Sequence, residues 1–269
     1  MVFGYKAIID EYINVAFSIQ NDLQLWKVFL PATIKTYLEK YPCQVDAQSS
    51  GFYTYDIDSN ICQGELHNFN KSSEIKAQEL EPSSQYFLQW VEVLSIVRLY
   101  SSIENLLILS IQLKYYDEGS LLLKNKKQVN NIKSKIQEEL KDNKITTSRV
   151  NNKFLIDFLK LKSPSVSNFL KCKTYSGEES SWEDFFEFIS IIRHIVVHNG
   201  MVVSLDERNN INSRFTEMFN QYFQLIESEN GHMTLCVNEK VGIGNIISMC
   251  SDFALNTVKC IFDFDTFKT

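Results

Sequence analysis

Turn-forming residues are scarce in this chain, with 9 glycines and 4 prolines among 269 residues. Many-stranded folds need frequent turns, so the shortage argues against a sandwich or barrel. Of the six cysteines, at 43, 62, 172, 236, 250 and 260, no two stand in Cys-x-x-Cys spacing. The usual sequence signature of a zinc site is missing, and a chain this long needs no disulfide staples. Reduced, mostly buried thiols in a cytoplasmic protein are expected. Basic charge is short as well: 27 Lys and Arg face 33 Asp and Glu, for a net charge of −6. A protein coated for duplex DNA would carry the opposite balance. There is no Gly-x-x-x-x-Gly-Lys phosphate loop and no Gly-x-Ser-x-Gly elbow. "GIGN" (242–245) is too short for a dinucleotide fingerprint and reads as the turn that opens a helix. The opening "MVFGYKAIIDEY" lacks the apolar core and the small-residue cleavage site of a signal peptide.

What the chain has is Leu, Ile, Phe, Lys, Glu and Asn in long stretches without breakers. At 44% hydrophobic and 22% charged residues, it has the balance of a soluble globular protein. The predicted fold class is mostly all-α. Residues 3–39 read as one or two amphipathic helices, with Pro31 marking a start or kink. From 41 to 81 the helical pattern fails, which predicts a loop-rich N-terminal excursion with a short strand near 52–57. A boundary is therefore expected between an N-terminal region, 1–81, and a helical core, 82–269.

Pro82-Ser83-Ser84 opens a helix reaching about Tyr116 that is apolar on most of its circumference. Glu92, Arg98 and Glu104 interrupt its greasiest part, 91–113, and three charges are costly in lipid. It is predicted as a central core helix, with no membrane partner. Further helices are expected at 127–142, 148–161, 164–171, 183–198, 211–227 and 241–263. "MVVS" (201–204) and "MTLCV" (233–237) allow a small β-ribbon.

Four histidines and five arginines occur in the whole chain, and three of these nine lie within six positions, in "FISIIRHIVVHNGMVVS" (188–204). On a helix of about 100° per residue, Trp182, Phe185, Ile189, Ile192 and Val196 form an apolar stripe. Glu183, Glu187, Ser190, His194 and His198 line the other side, and Asn199-Gly200 is a strong stop signal. This stripe is expected to pack against the apolar 83–116 helix. Arg193 and His198 lie about 140° apart round an ideal helix and do not face each other. Helix irregularity at the Asn199-Gly200 end would reorient His198; alternatively, a second chain across a two-fold axis would bring both residue types to one cleft.

"RHIVVHNG" resembles the Arg-x-x-x-x-His motif of the HEPN superfamily (higher eukaryotes and prokaryotes nucleotide-binding domains). "VLSIVRLYSSIENLLILSIQL" is similar to that fold's early core helix, which often carries an acidic residue where Glu104 stands. The resemblance spans roughly 82–263, with its specific part in about eight residues. It implies a HEPN-like antiparallel helical bundle, usually dimeric, and in many members a metal-independent RNA endonuclease. Such enzymes often serve as toxins or anti-phage defence effectors, with an antitoxin or nucleotidyltransferase partner. His194 replaces the commoner Asn of the motif. Gly200 stands where some of these toxins carry a tyrosine modified by a nucleotidyltransferase, so that mode of control is not implied.

The residue types suit the chemistry on their own account. RNA carries its own nucleophile, the 2′-hydroxyl, so no metal-bound water and no cofactor are required. Histidine titrates near neutrality and can move protons. Arginine can hold a phosphate and stabilise the charge that builds on it. Arg193 and His198 are the candidate catalytic residues, with His194 and Glu104 as accessories. The basic segment 124–149, with eight Lys or Arg against three acids, offers Lys124, Lys126, Lys127, Lys133 and Lys135 as RNA contacts, or else a solvated helix face.

Other readings of the same residues stay open. His198 at a helix C-terminus also complements the helix dipole, and Arg193 can serve as an ion-pair residue. His194 and His198 have the spacing of zinc-binding helices, but Ile-Val-Val between them supplies no general base. A non-catalytic module binding nucleotide, RNA or protein is the alternative function.

Overall fold

The computed structural model describes residues 2–41, 45–58, 63–116, 126–146, 152–175, 180–227 and 231–264. Two compact units are present: Met1–Leu23 with Gln89–Thr269, and Gln24–Leu88. The sequence reading set one boundary at 81/82. The first 23 residues group with the larger unit.

Helix α1, Val2–Lys40, is one continuous helix with Pro31 inside it. Its first part buries Ile8, Tyr12, Ala16, Ile19 and Leu23, spaced by three or four residues, in the core of the larger unit. Tyr12 Oη lies 3.2 Å from Ser251 Oγ, which ties this helix to the last one.

The smaller unit departs most from expectation. Strands β1, Val45–Asp58, and β2, Gln63–Lys76, pair antiparallel along their full length, from Val45↔Lys76 to Asp58↔Gln63. A loop-rich stretch with one short strand was expected. β2 is polar at odd and even positions alike, and the alternation of β1 is broken in its middle by Ser49, Ser50, Gly51 and Phe52, so the full length of the pair does not show in the sequence. In the same unit Trp26 meets Phe87 edge-on, with ring centroids 5.5 Å apart.

Helix α2, Leu80–Ile111, continues as a π-helical turn, Gln112–Tyr116, which matches the expected span. Pro82 falls in its first turn, where a missing N–H does little harm. By length and composition, Leu80–Tyr116 could cross a membrane, and half of its most apolar window is buried in the protein. Val93, Ile96, Leu99, Tyr100, Ile103, Leu107 and Ile111 are all core residues.

The remaining helices are α3 (Lys126–Asp142), α4 (Lys153–Lys162), α5 (Pro164–Lys171) and α6 (Trp182–Asn199). After them come α7 (Leu205–Arg214), α8 (Thr216–Tyr222) and α9 (Gly242–Phe262). Ser163 caps α5 by accepting from Val166 N at 3.2 Å, with Pro164 at the first helical position. Gly242, of "GIGN", opens α9 with φ +73°.

The helix expected over 211–227 is interrupted. Phe215, at φ −132°, separates α7 from α8, and β3, Phe223–Glu227, follows at once. β3 pairs antiparallel with β4, Met233–Val237, in the register Phe223↔Val237. Helical spacing of Ile211, Phe215, Met218, Phe219 and Tyr222 runs right up to the strand, so local periodicity cannot mark the change; pairing with β4 makes it. The expected 201–204 ribbon exists as a short third edge, with Val203 N to Met233 O and Leu235 N to Met201 O both at 2.9 Å. The larger unit is thus mainly helical with one small sheet.

Helix α6 lies at the middle of this unit. Phe186 stacks on Tyr100 of α2 at 5.5 Å and on Phe253 of α9 at 5.1 Å. Trp182 stacks on Phe169 of α5, and Phe188 meets Phe223 of β3. α6 packs on α2 as expected, but it does so through Phe186, Ser190 and Arg193 on Tyr100, whereas Trp182 and Phe185 of the predicted stripe meet Phe169 of α5 and Phe253 of α9.

Candidate functional site

The site is the C-terminal end of α6. A capping box starts the helix: Ser181 Oγ accepts from Asp184 N at 3.2 Å, and Asp184 Oδ2 accepts from Ser181 N at 3.0 Å. Glu183 and Asp184 place negative charge at the positive end of the helix dipole. Gly200, at φ +59°, ends the helix in the left-handed conformation that glycine adopts without strain.

All five residues of the predicted stripe, Trp182, Phe185, Ile189, Ile192 and Val196, are buried. One member of the predicted polar line is buried too. Ser190 is 1% exposed and donates to Tyr100 Oη at 3.1 Å. A serine inside a packed face is tolerated because a neighbouring helix brings it a partner. Glu183 accepts from Lys160 of α4 at 2.9 Å, and Glu187 from Arg214 of α7 at 2.7 Å.

His194 and His198 are both exposed, one helical turn apart, with ring centroids at 4.5 Å and planes inclined at 45°. Arg193 turns away from them. It is half-buried, and its guanidinium carbon lies 5.9 Å from the centre of the Tyr100 ring. Its Nε is buried with no hydrogen-bond partner. Among the described residues no carboxylate pairs with Arg193.

Glu104 lies one turn along α2 from Tyr100 and makes an ion pair with Lys133 of α3. The accessory acid and one candidate RNA-contacting lysine therefore hold each other. Lys135 lies over the Tyr116 ring at 5.6 Å. Lys126 and Lys127 open α3, whereas Lys124 lies outside the described residues, as do Cys43 and Cys62.

Tyr100 was not singled out from the sequence, and it is the residue that joins the parts. It is 1% exposed, and its hydroxyl also accepts from Asn152 Nδ2 at 3.3 Å. Burial above all pushes its ionisation up; the hydrogen bonds from Ser190 and Asn152 oppose this, as does the Arg193 charge. Its only sequence signal is a phenol one turn before Glu104 inside an apolar run.

The turn after His198 is latched. Glu207 accepts from Asn199 Nδ2 at 2.8 and 3.0 Å and from Ser204 N at 2.8 Å, and it forms the capping box of α7 with Ser204. The Asn of "HNG" thus holds the helix end in place.

Among the described residues no three His, Cys, Asp or Glu side chains are grouped to hold a metal ion. His232 directly precedes β4, and His67 lies on β2. Chemically, the arrangement offers a cation with unspent donors and two imidazoles open to solvent at one helix end.

Comparison with known proteins finds no matching family model, no matching curated protein and no matching solved structure.

Proposed function

We propose that this chain is a metal-independent endoribonuclease of HEPN type, built on a HEPN-like antiparallel helical bundle and working as a homodimer. One observation carries the reading. Arg193, the first residue of the Arg-x-x-x-x-His motif, sits half-buried with no carboxylate partner among the described residues, while His194 and His198 at the same helix end are open to solvent. An ion-pair arginine would have its charge cancelled; this one keeps it.

In the proposed reaction the 2′-hydroxyl of a ribose loses its proton to His198 and attacks the adjacent phosphorus. A bond from the 2′-oxygen to phosphorus forms and the bond to the 5′-oxygen breaks. The leaving oxygen takes a proton from the His198 of a second copy, and a 2′,3′-cyclic phosphate remains. Arg193 holds the phosphate and stabilises its extra charge. His194 orients the phosphate or tunes His198. A second copy belongs in the reading because Arg193 faces α2 while His198 faces solvent. On this reading the protein acts in the cytoplasm as a toxin or defence effector, with an antitoxin or nucleotidyltransferase as partner.

Incubation of the purified protein with mixed RNA tests the reading. Cleavage should survive EDTA, leave 2′,3′-cyclic phosphate ends and spare DNA. His198→Ala and Arg193→Ala should each lower it about a hundredfold or more, with unchanged circular dichroism. The second reading, a non-catalytic module, is favoured by the openness of both imidazoles in the single chain. RNA binding without any cleavage would select it.

A further inference from the structure

We propose that Tyr100 is a positioning residue: its buried ring is the platform that holds the Arg193 guanidinium with its N–H groups unspent. The purpose assigned to those groups, gripping an RNA phosphate, rests on the ribonuclease reading.

An arginine side chain has four rotatable bonds and must be fixed by something if it is to meet a phosphate in one orientation. The common fixture is a carboxylate, which would consume the donors and cancel the charge. Glu104, the acid one turn along α2 from Tyr100, is engaged by Lys133. Arg193 is instead held by an aromatic face 5.9 Å from its guanidinium carbon. Cation–π attraction orients the planar group and leaves its N–H edges free.

The platform cannot drift. Tyr100 is 1% exposed and stacked on Phe186, and two donors grip its hydroxyl, Ser190 Oγ at 3.1 Å and Asn152 Nδ2 at 3.3 Å. Ser190 is one turn before Arg193 on α6, so the ring is tied to the helix that carries the guanidinium. Asn152 opens α4 in the left-handed region at φ +53°, a conformation asparagine tolerates better than most residues. Three elements, α2, α4 and α6, therefore converge on one phenol. Arg193 Nε is buried with no acceptor among the described residues, so no side chain there competes with the ring for the guanidinium.

Two readouts on the full-length protein separate the platform from the enzymatic reading. In nitrogen-15 spectra of labelled arginine side chains, the Arg193 Nε–H signal, assigned by its loss in Arg193→Lys, should be shifted by the ring and slow to exchange. Tyr100→Leu should abolish both properties, and Tyr100→Phe, which keeps the ring, should retain them. In RNA cleavage, Tyr100→Leu should lower kcat about tenfold or more with KM within about twofold, and Tyr100→Phe should restore most of it. An Arg193 signal unchanged in Tyr100→Leu overturns the platform, whatever the activity. A displaced signal with full cleavage overturns the positioning role. A displaced signal in a protein that never cleaves RNA leaves the platform standing and removes the ribonuclease reading. If Tyr100→Leu fails to fold, Ser190→Ala with Asn152→Ala loosens the same ring, and an unmoved Arg193 signal there overturns the platform equally.

Discussion

Arg214 donates to both oxygens of Glu187, Nη1 to Oε1 and Nη2 to Oε2, each at 2.7 Å. This two-pronged bond joins α7 to the middle of α6, two turns before the histidines. Fork-to-carboxylate pairing fixes orientation as well as distance. It therefore helps set where the last turn of α6 points.

The pair makes stability depend on acid. Hydrogen bonding from Arg214 holds the Glu187 carboxyl below the usual range against an opposing burial effect, and the Arg214 charge adds to the lowering. A carboxyl depressed by folding contributes stability above its unfolded pKa and loses that contribution as pH falls through the folded value. Glu187→Gln should cost about 1 kcal/mol or less at neutral pH, since Arg214 is substantially exposed and screened. In urea titrations the gap from wild type should close as pH drops below 4.5. A gap that persists in acid would assign the effect to packing.

Lys133 should report on the fold before it reports on RNA. Its ammonium pairs with Glu104, whose side chain is only 15% exposed. Lys133→Ala strands that carboxylate, and Glu104→Ala strands the ammonium. Each single change should destabilise by about 1 kcal/mol, and the double change should cost less than the sum of the two. Thermal melts of the four proteins check this. Additive costs would show that the two side chains do not interact.

How much of this was legible depended on where each signal is stored. The 164–171 helix could be read to the residue because Ser163-Pro164 is both cap and first turn, a purely local signal. α6 was legible to within one residue at each end, 183–198 against Trp182–Asn199, from its Ser-rich start and Gly200 after it. Arg193, His194 and His198 stood out through scarcity and spacing. Tyr100, Asn152 and Glu207 did not, because each matters through a partner far along the chain: Ser190 lies 90 residues from Tyr100. The pairing of 45–58 with 63–76 escaped for another reason: β2 is polar at every parity, and the alternation of β1 is interrupted over 49–52, which left only the short run near 52–57 to read. β3 was hidden by a helical pattern that runs up to Tyr222.

The latch behind His198 should separate folding from reaction. Glu207 caps α7 and holds Asn199 at 2.8 Å. Asn199→Ala removes only the latch, while Ser204→Ala removes only the hydroxyl half of the cap, worth about 1 kcal/mol. Ser204→Ala should lower the melting temperature with little change in cleavage. Asn199→Ala should do the reverse, since it frees the turn beside His198. Equal effects of both on cleavage would mean that the turn has no part in placing the imidazole.

Zinc should inhibit the proposed enzyme, and chelation should relieve it. Two exposed imidazoles one turn apart, with centroids at 4.5 Å, are spaced to share a metal ion through their ring nitrogens, with water filling the other positions. Such a two-ligand site is weak, but an occupied one ties up the lone pair that His198 needs as a base. Micromolar zinc should therefore slow RNA cleavage, EDTA should restore it, and magnesium, which prefers oxygen ligands, should have no such effect. His194→Ala removes one of the two ligands. It should abolish zinc sensitivity while retaining more activity than His198→Ala. Zinc inhibition that survives His194→Ala would place the metal elsewhere. Cleavage that rises with zinc, or that EDTA abolishes, would make the imidazole pair a catalytic metal site and end the metal-independent mechanism.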